Sequence, residues 1–256
     1  MIAFSLPANV PVYLFSLLVG LGAVAGLVGV ARNAPEKEAR RRVDAGLWAL
    51  GGALVGGRVG FVVAHWAYFQ LHSSEIAAVY FGGISASGAL LGSVLALTIY
   101  AIVTQIAFGI VADALLPLLA SMTVVSWLGC WLAGVAYGPP SNAWWGLPAR
   151  DEWGTVAPRL PLQFLGALLS VGLFASLEMS RERWKFPGRA AALGLLGLAL
   201  QLFALSFLRA DPAPLWRGLH PDGWGAIGLG FLSLILLFLS SHETHSCPRS
   251  NQHPSG

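Results

Sequence analysis

Seven apolar runs near 20 residues dominate the sequence: Val10 to Val30, Ala45 to Phe69, Val79 to Ala107, Val111 to Tyr137, Leu160 to Leu177, Ala190 to Leu208 and Trp224 to Leu239. That is the length a helix needs to cross about 30 Å of hydrocarbon. Each run is too long for a strand and lacks the strict alternation of a barrel wall, so a bundle of helices is the spanning architecture left open. Composition agrees: 56% of the residues are hydrophobic, 11% are charged and mean hydropathy is +0.68, against about 25% charged residues in soluble domains. The sequence therefore predicts an all-α, polytopic membrane bundle of about seven helices. One transmembrane domain covers 1–241, and 242–256 form a polar cytoplasmic tail.

Orientation follows from the loop cations. Arg32, Lys37, Arg40, Arg41, Arg42, Arg181, Arg183, Lys185, Arg189 and Arg249 fall on one side, whereas Arg150, Arg159, Arg209 and Arg217 fall on the other. The positive-inside bias puts the N-terminus outside and the C-terminus inside. Met1 to Leu18 carries no lysine or arginine, so the basic start of a secretory signal is missing. The first run is expected to remain as a helix, although Ala23-Val24-Ala25 has the form of a cleavage site. Cys130 within a span and Cys247 in the tail make no disulfide framework. The tail residues His242, His245, Cys247 and His253 resemble ligands in type, but no fixed element holds them and no metal site is expected. The net charge of +3 is accounted for by topology and gives no case for nucleic acid.

Arg58 stands alone in the second run. A cation at that depth costs about 2.5–3.5 kcal/mol on insertion scales unless an anion or a watery cavity meets it. Counting from Ala45 at about 1.5 Å per residue places it roughly 20 Å across, in the outer half. Asp113 lies at the opposite edge of the membrane in this topology, so a lipid phosphate is the expected partner of Arg58. His65, seven positions on, shares its face.

Glycines cluster at 51, 52, 56, 57 and 60 in the second run and at 82, 83, 88 and 92 in the third. Two readings stand: close helix contact through small residues, or an irregular, polar-lined segment from Gly82 to Ala89 near the outer surface, bordering protein or a cavity. The longest polar interruption, Gly138 to Pro158, carries Pro139-Pro140, Trp144-Trp145 and Trp153 and lies outside. It reads as an ordered lid at the headgroup level or as an ordinary aromatic belt. The loop from Arg209 to Gly223, with Trp216, Arg217 and His220, faces the same side.

Taken in order, these segments resemble a known family. Gly51-Gly52-Ala53-Leu54-Val55-Gly56-Gly57-Arg58-Val59-Gly60-Phe61 resembles the G-G-R-x-G-Y motif of bacterial prolipoprotein diacylglyceryl transferases. Gly82-Gly83-Ile84-Ser85-Ala86-Ser87-Gly88-Ala89-Leu90-Leu91-Gly92 is similar to their G-G-M-S-F-H-G-G-L-L-G. Asp113-Ala114-Leu115-Leu116-Pro117 resembles D-x-x-A-P, and Gly129, Gly134, Tyr137 and Gly138 align with G-R-x-G-N-F-x-N-G-E-x-x-G. Pro161-Leu162-Gln163-Phe164 resembles H-P-[ST]-Q-L-Y-E, and Phe207-Leu208-Arg209-Ala210-Asp211 resembles E-F-x-R-x-P-D. The ordered matches run from about Tyr13 to Asp211.

The resemblance implies transfer of diacylglyceryl from phosphatidylglycerol to the lipobox cysteine of a preprolipoprotein, at the outer face of the bacterial inner membrane. It implies phosphatidylglycerol and a preprolipoprotein signal peptide as partners, and no cofactor. Candidate phospholipid-binding residues are Arg58, Tyr13, Ser87, Gln163 and Arg209; candidate backbone-shaping glycines are Gly56, Gly57, Gly60, Gly82, Gly83, Gly88, Gly129 and Gly134. No residue is singled out as catalytic, because the motifs have lost charge. Ser87 stands where the family has histidine and Trp127 where it has arginine. Cys130 and Ala133 replace asparagines, and Val135 a glutamate. Leu160 and Gly166 replace a histidine and a glutamate, and Leu202 and Ser206 an arginine and a glutamate. Cys130, inside an apolar span, is a poor nucleophile. Arg150, Arg159, Arg209 and Arg217 could rebuild a transfer site. The alternative is a paralogue that keeps a lipid cavity without the chemistry, and a small transporter is a third reading that finds few intramembrane charges to use.

Overall fold

The computed structural model describes residues 3–5, 11–79, 82–151, 153–183, 186–212 and 215–242, excepting the side chains of 3–5, 11–13, 182, 241 and 242. A short antiparallel pair, β1 (Ala3–Ser5) and β2 (Pro11–Tyr13), precedes α1 (Leu14–Arg32). There follow α2 (Glu36–Ala64), α3 (Trp66–Phe69), α4 (Ala86–Thr104), α5 (Phe108–Ala114) and α6 (Leu116–Ala133). The hairpin β3 (Leu147–Arg150) and β4 (Val156–Arg159) leads into α7 (Leu162–Met179), α8 (Arg189–Ser206) and α9 (Pro221–His242). Seven of these helices, α1, α2, α4, α6, α7, α8 and α9, are long and apolar enough to cross a membrane. The rows of exposed leucine, valine and phenylalanine on α1, α4, α7 and α9 are the surface a bilayer covers. The protein is a multi-pass membrane protein.

Several boundaries differ from the sequence expectation, and three of the differences have a clear local reason. Helix α2 begins at Glu36 rather than Ala45: Glu36 and Glu38 sit in its first turn, where carboxylates offset the helix dipole, and Arg42 bonds Glu38 at 2.8 Å. Helix α4 begins at Ala86 rather than Val79, because Gly82 and Gly83 have φ of +88° and +83°, values that favour glycine. The fourth run is broken at Leu115, just before Pro117 in the first turn of α6. Residues 243–256, including the tail residues His245, Cys247 and His253, lie outside the described residues.

Close helix contact holds from Gly88 onward, and the irregular segment is shorter than expected, since α4 begins at Ala86. Gly82 to Ser85 is irregular, and Ser85 Oγ caps α4 by accepting from Gly88 N at 3.2 Å. From Gly88 onward the backbone of α4 lies directly on α2: a Cβ at Gly88 would stand 2.5 Å from Gly56 O, and one at Gly56 2.5 Å from Gly88 O. Only hydrogen fits between such carbonyls. Gly88→Val is expected to push α4 off α2 and to destabilise the protein by about 1–3 kcal/mol, read as a lower thermal midpoint in detergent.

The other contacts set the two ends of the bundle. Helix α1 packs on α6, α6 on α7, and α8 on α9. Asp113, at the end of α5, accepts from Gly188 N and Ala191 N, both at 2.7 Å, and so caps α8. Tyr100 donates to Arg41 O at 2.9 Å. These bonds gather Arg41, Asp113 and Arg189 at one basic end. Ser85, the β3–β4 hairpin, Arg209 and the start of α9 lie at the opposite, loop-rich end.

Candidate functional site at the loop-rich end

Arg58 is 8% exposed and is held by main-chain carbonyls. Its Nε donates to Ile76 O at 2.8 Å, Nη1 to Gly82 O at 2.7 Å and Gly83 O at 3.2 Å, and Nη2 to Glu75 O at 2.6 Å. Phe61 and Phe69 flank the guanidinium, with ring centres at 5.7 and 5.3 Å, a favourable place for a cation. The expected lipid phosphate therefore gives way to backbone oxygens, which supply the negative dipole ends the buried cation needs. Gly83 makes this possible, since a Cβ there would stand 2.5 Å from the Phe61 ring. His65 does not join Arg58; its Nδ1 lies 3.0 Å from Phe61 O and its ring 4.2 Å from that of Phe61. Arg58 is a clamp on the segment that delivers α4.

The segment so delivered carries the polar cluster of this end. Ser85 Oγ donates to Asp222 Oδ1 at 2.9 Å, and Ser87 Oγ to the same oxygen at 3.2 Å. Asp222, in the first turn of α9, also meets Arg209 Nη1 at 3.2 Å. Arg209 grips Asp211 with both faces of its fork, Nε to Oδ1 at 2.8 Å and Nη2 to Oδ2 at 2.6 Å, the geometry arginine favours. A Cβ at Gly225 would fall on the Ser87 side chain, so α4 and α9 touch closely here. Burial opposes the charge of Arg209, yet the bonds from Asp211 and the charge of Asp222 raise its pKa above the ordinary value. Burial would likewise raise Asp211, but Arg209 holds its carboxyl below the ordinary range.

His220, 8% exposed, stands immediately before α9. Burial first, then the charge of Arg209, lower its pKa, with Asp211 and Asp222 opposing. Its Nδ1 is buried and has no partner among the described residues. A second cation lies on the hairpin: Arg159 pairs with Asp151 at 3.2 Å and stacks 4.5 Å from the centre of the buried Tyr137 ring, whose carbonyl accepts from Ala210 N, next to Arg209, at 2.9 Å. Its Nε is also unpartnered among the described residues. Asp151 in turn closes the hairpin, accepting from Thr155 N at 2.8 Å. Trp144 and Trp153, 91% and 76% exposed, project around it.

Toward the membrane interior the charge disappears. Gln163 is 1% exposed and donates to Val135 O at 3.0 Å, while its Oε1 has no partner among the described residues. Gln201 donates to Gly166 O at 2.7 Å and to Ser170 Oγ at 3.1 Å. The Trp127 ring lies so close on Gly166 that a Cβ there would collide with it. Two positions that resemble family arginine and glutamate sites are thus filled together by an indole over a glycine.

Of the sequence candidates, Ser87 and Arg209 are brought together through Asp222, whereas Arg58 serves the backbone and Gln163 lies on α7. Tyr13 ends β2, and its side chain lies outside the described residues. Gly57 and Gly60 pack on Ile84 and Ser85, Gly129 admits the Phe15 ring, and Gly134, with φ of +68°, ends α6. Asp222, Asp211 and Ser85 escaped the candidate set, and so did His220. The available signal was an acid in the first turn of an apolar helix, preceded by histidine and proline.

The model of the prolipoprotein diacylglyceryl transferase family matches residues 1–239. The chain is similar to the phosphatidylglycerol–prolipoprotein diacylglyceryl transferase of Nitratidesulfovibrio vulgaris, 32% identical over 189 residues, covering 71% of this chain and 68% of that one. It is also similar to the enzymes of that name from Thermosynechococcus vestitus, 26% identical with 77% of each chain covered, and Bordetella avium, 28% identical with 77% and 76% covered. With the bundle, the glycine contacts and the motif order in agreement, the chain belongs to the prolipoprotein diacylglyceryl transferase family.

Proposed function

We propose that this chain transfers diacylglyceryl from phosphatidylglycerol to the lipobox cysteine thiol of a preprolipoprotein, at the loop-rich face of a bacterial inner membrane. The observation that carries the reading is the Ser85–Ser87–Asp222–Arg209–Asp211 network, in which the α4 and α8 motif segments of the family converge on one fixed cation. In the reaction the thiol sulphur bonds to the glycerol carbon of the diacylglyceryl group, the bond from that carbon to the phosphate oxygen breaks, and glycerol phosphate leaves with the electron pair. Arg209, preorganised by two carboxylates, meets the charge that grows on the leaving phosphate. Arg159 adds a second donor through its unpartnered Nε. The thiol proton goes to His220, kept neutral near pH 7 by burial and by Arg209, as a base must be.

The positive-inside bias supports the placement of this face outside and of the basic end in the cytoplasm. The exposed tryptophans of the hairpin suit the headgroup layer where a signal peptide would emerge.

The test is complementation of a bacterium depleted of its own transferase, with lipidation of a reporter lipoprotein read by mass spectrometry. A diacylglyceryl adduct is expected. In purified protein the rate should fall as pH drops through the lowered His220 pKa, because protonation removes the base. His220→Gln should lose that acid limb and run about 10²-fold slower. A folded, inserted protein that forms no adduct in the cell or with matched lipid in vitro would overturn the reading in favour of a chain that binds lipid without reacting it. The indole over Gly166 would then be the reason.

A further inference from the structure

The basic end holds a second feature that the transfer reaction does not use. On α2, Lys37, Arg41, Asp44 and Trp48 follow one another at spacings of three and four and so share a face, and Arg40 stands beside Arg41 at its edge. With Tyr100 and Thr104 of α4 they line a cavity of about 560 Å³. Lys37, Arg40 and Arg41 are exposed, and among the described residues none of their side chains makes a hydrogen bond or an ion pair. Arg42, one position on, is bonded to Glu38. Three unpaired cations against one carboxylate leave the cup positive. Trp48 and Tyr100, with ring centres 6.2 Å apart, form its wall at the level where aromatic rings meet headgroups.

The cup opens into an apolar groove of about 830 Å³ between α2 and α4, and Leu47 and Trp48 line both. Along α2 the groove runs from Leu47 to Gly60, about 20 Å at the helical rise, somewhat more than the half-thickness of the hydrocarbon core. Gly51 lies in it, and a Cβ at Gly51 would meet nothing within 4 Å. Helix contact explains Gly52 and Gly56, but it does not explain Gly51, which weakens a helix relative to alanine and leaves open space.

We propose that this face binds an anionic phospholipid of the leaflet at the basic end, its phosphate in the Lys37–Arg40–Arg41 cup and an acyl chain along the groove over Gly51. A phosphodiester headgroup matches the unpaired cations, as basic pockets between membrane helices do, and the apolar channel leading away from the cup suits a diacyl lipid rather than free phosphate. The site lies at the opposite end of the bundle from Arg209 and does not rest on the transfer reading.

Two variants separate the headgroup from the chain: Arg40→Gln/Arg41→Gln removes charge, and Gly51→Leu fills the groove from a position where an added Cβ meets nothing within 4 Å. Each is purified in mild detergent, titrated with phosphatidylglycerol and with phosphatidylcholine, and monitored by native mass spectrometry. The wild-type protein is expected to hold phosphatidylglycerol in preference to phosphatidylcholine, and inorganic phosphate should not displace it. Each variant should weaken one bound equivalent about tenfold or more while keeping the wild-type thermal midpoint and leaving binding at the loop-rich end intact. Wild-type binding in either variant, equal retention of phosphatidylcholine, or displacement by inorganic phosphate would overturn the proposal.

Discussion

Arg58→Ala is expected to destabilise the folded protein by about 3–5 kcal/mol, because each main-chain acceptor left unpaired in a buried site costs about 1–3 kcal/mol. Four carbonyls lose the Arg58 donor at once; that of Glu75 keeps the Ala78 amide at 3.0 Å, while those of Ile76, Gly82 and Gly83 have no other donor among the described residues. Some of them will find water from the loop-rich end, which keeps the total below a simple sum. The effect should be local in origin: proteolytic cleavage should open between 75 and 85 before the helices unfold. Arg58→Lys should recover only part of the loss, since an ammonium has three donors at one point and cannot span the carbonyls that the planar fork reaches. Transfer activity should fall in parallel, because the same segment sets Ser85 and Ser87 against Asp222. A variant with an unchanged thermal midpoint in detergent would show that the four bonds carry no net stability.

Arg209→Ala should leave the bundle largely intact and lower transfer by about 10²–10³-fold, the usual cost of removing one preorganised charge stabiliser. The interpretation needs a control, since the substitution also strands two neighbouring carboxylates. Combining it with Asp211→Asn relieves that repulsion. The double variant is expected to regain stability without regaining transfer. Recovery of both would mean that Arg209 only holds the loop between α8 and α9 in place. Arg209→Lys should fall between, retaining the charge but losing the two-pronged grip on Asp211.

What could be seen in the sequence and what could not divides along physical lines. Seven apolar runs dictate seven helices, since hydrocarbon leaves a chain few other ways to satisfy its backbone. Their ends were less visible. The first turns of α2 are charged, and charge reads as loop although Glu36, Glu38 and Arg42 build a sound helix start. Arg58 was visible as a costly cation, but its partners were carbonyls, which every residue carries and no sequence distinguishes. The Arg209 cluster joins α4 to α9 across more than a hundred positions: Ser87 and Asp222 are 135 residues apart. No local spacing encodes such a meeting. The loss of motif charge at Trp127 and Gly166 was legible position by position, but that one side chain occupies the space of both became evident only in the packing.

The cap that Asp113 provides for α8 joins two segments that are made far apart in time. The carboxylate emerges during synthesis 75 residues before the Gly188 amide it binds, so until α8 follows, an acid at the membrane edge has no amide to accept. An intermediate that stops after α7 therefore carries a mark of incompleteness, and seating α8 erases it. A bond that looks like a modest helix cap in the finished bundle is thus one that can form only once the sixth span has been made.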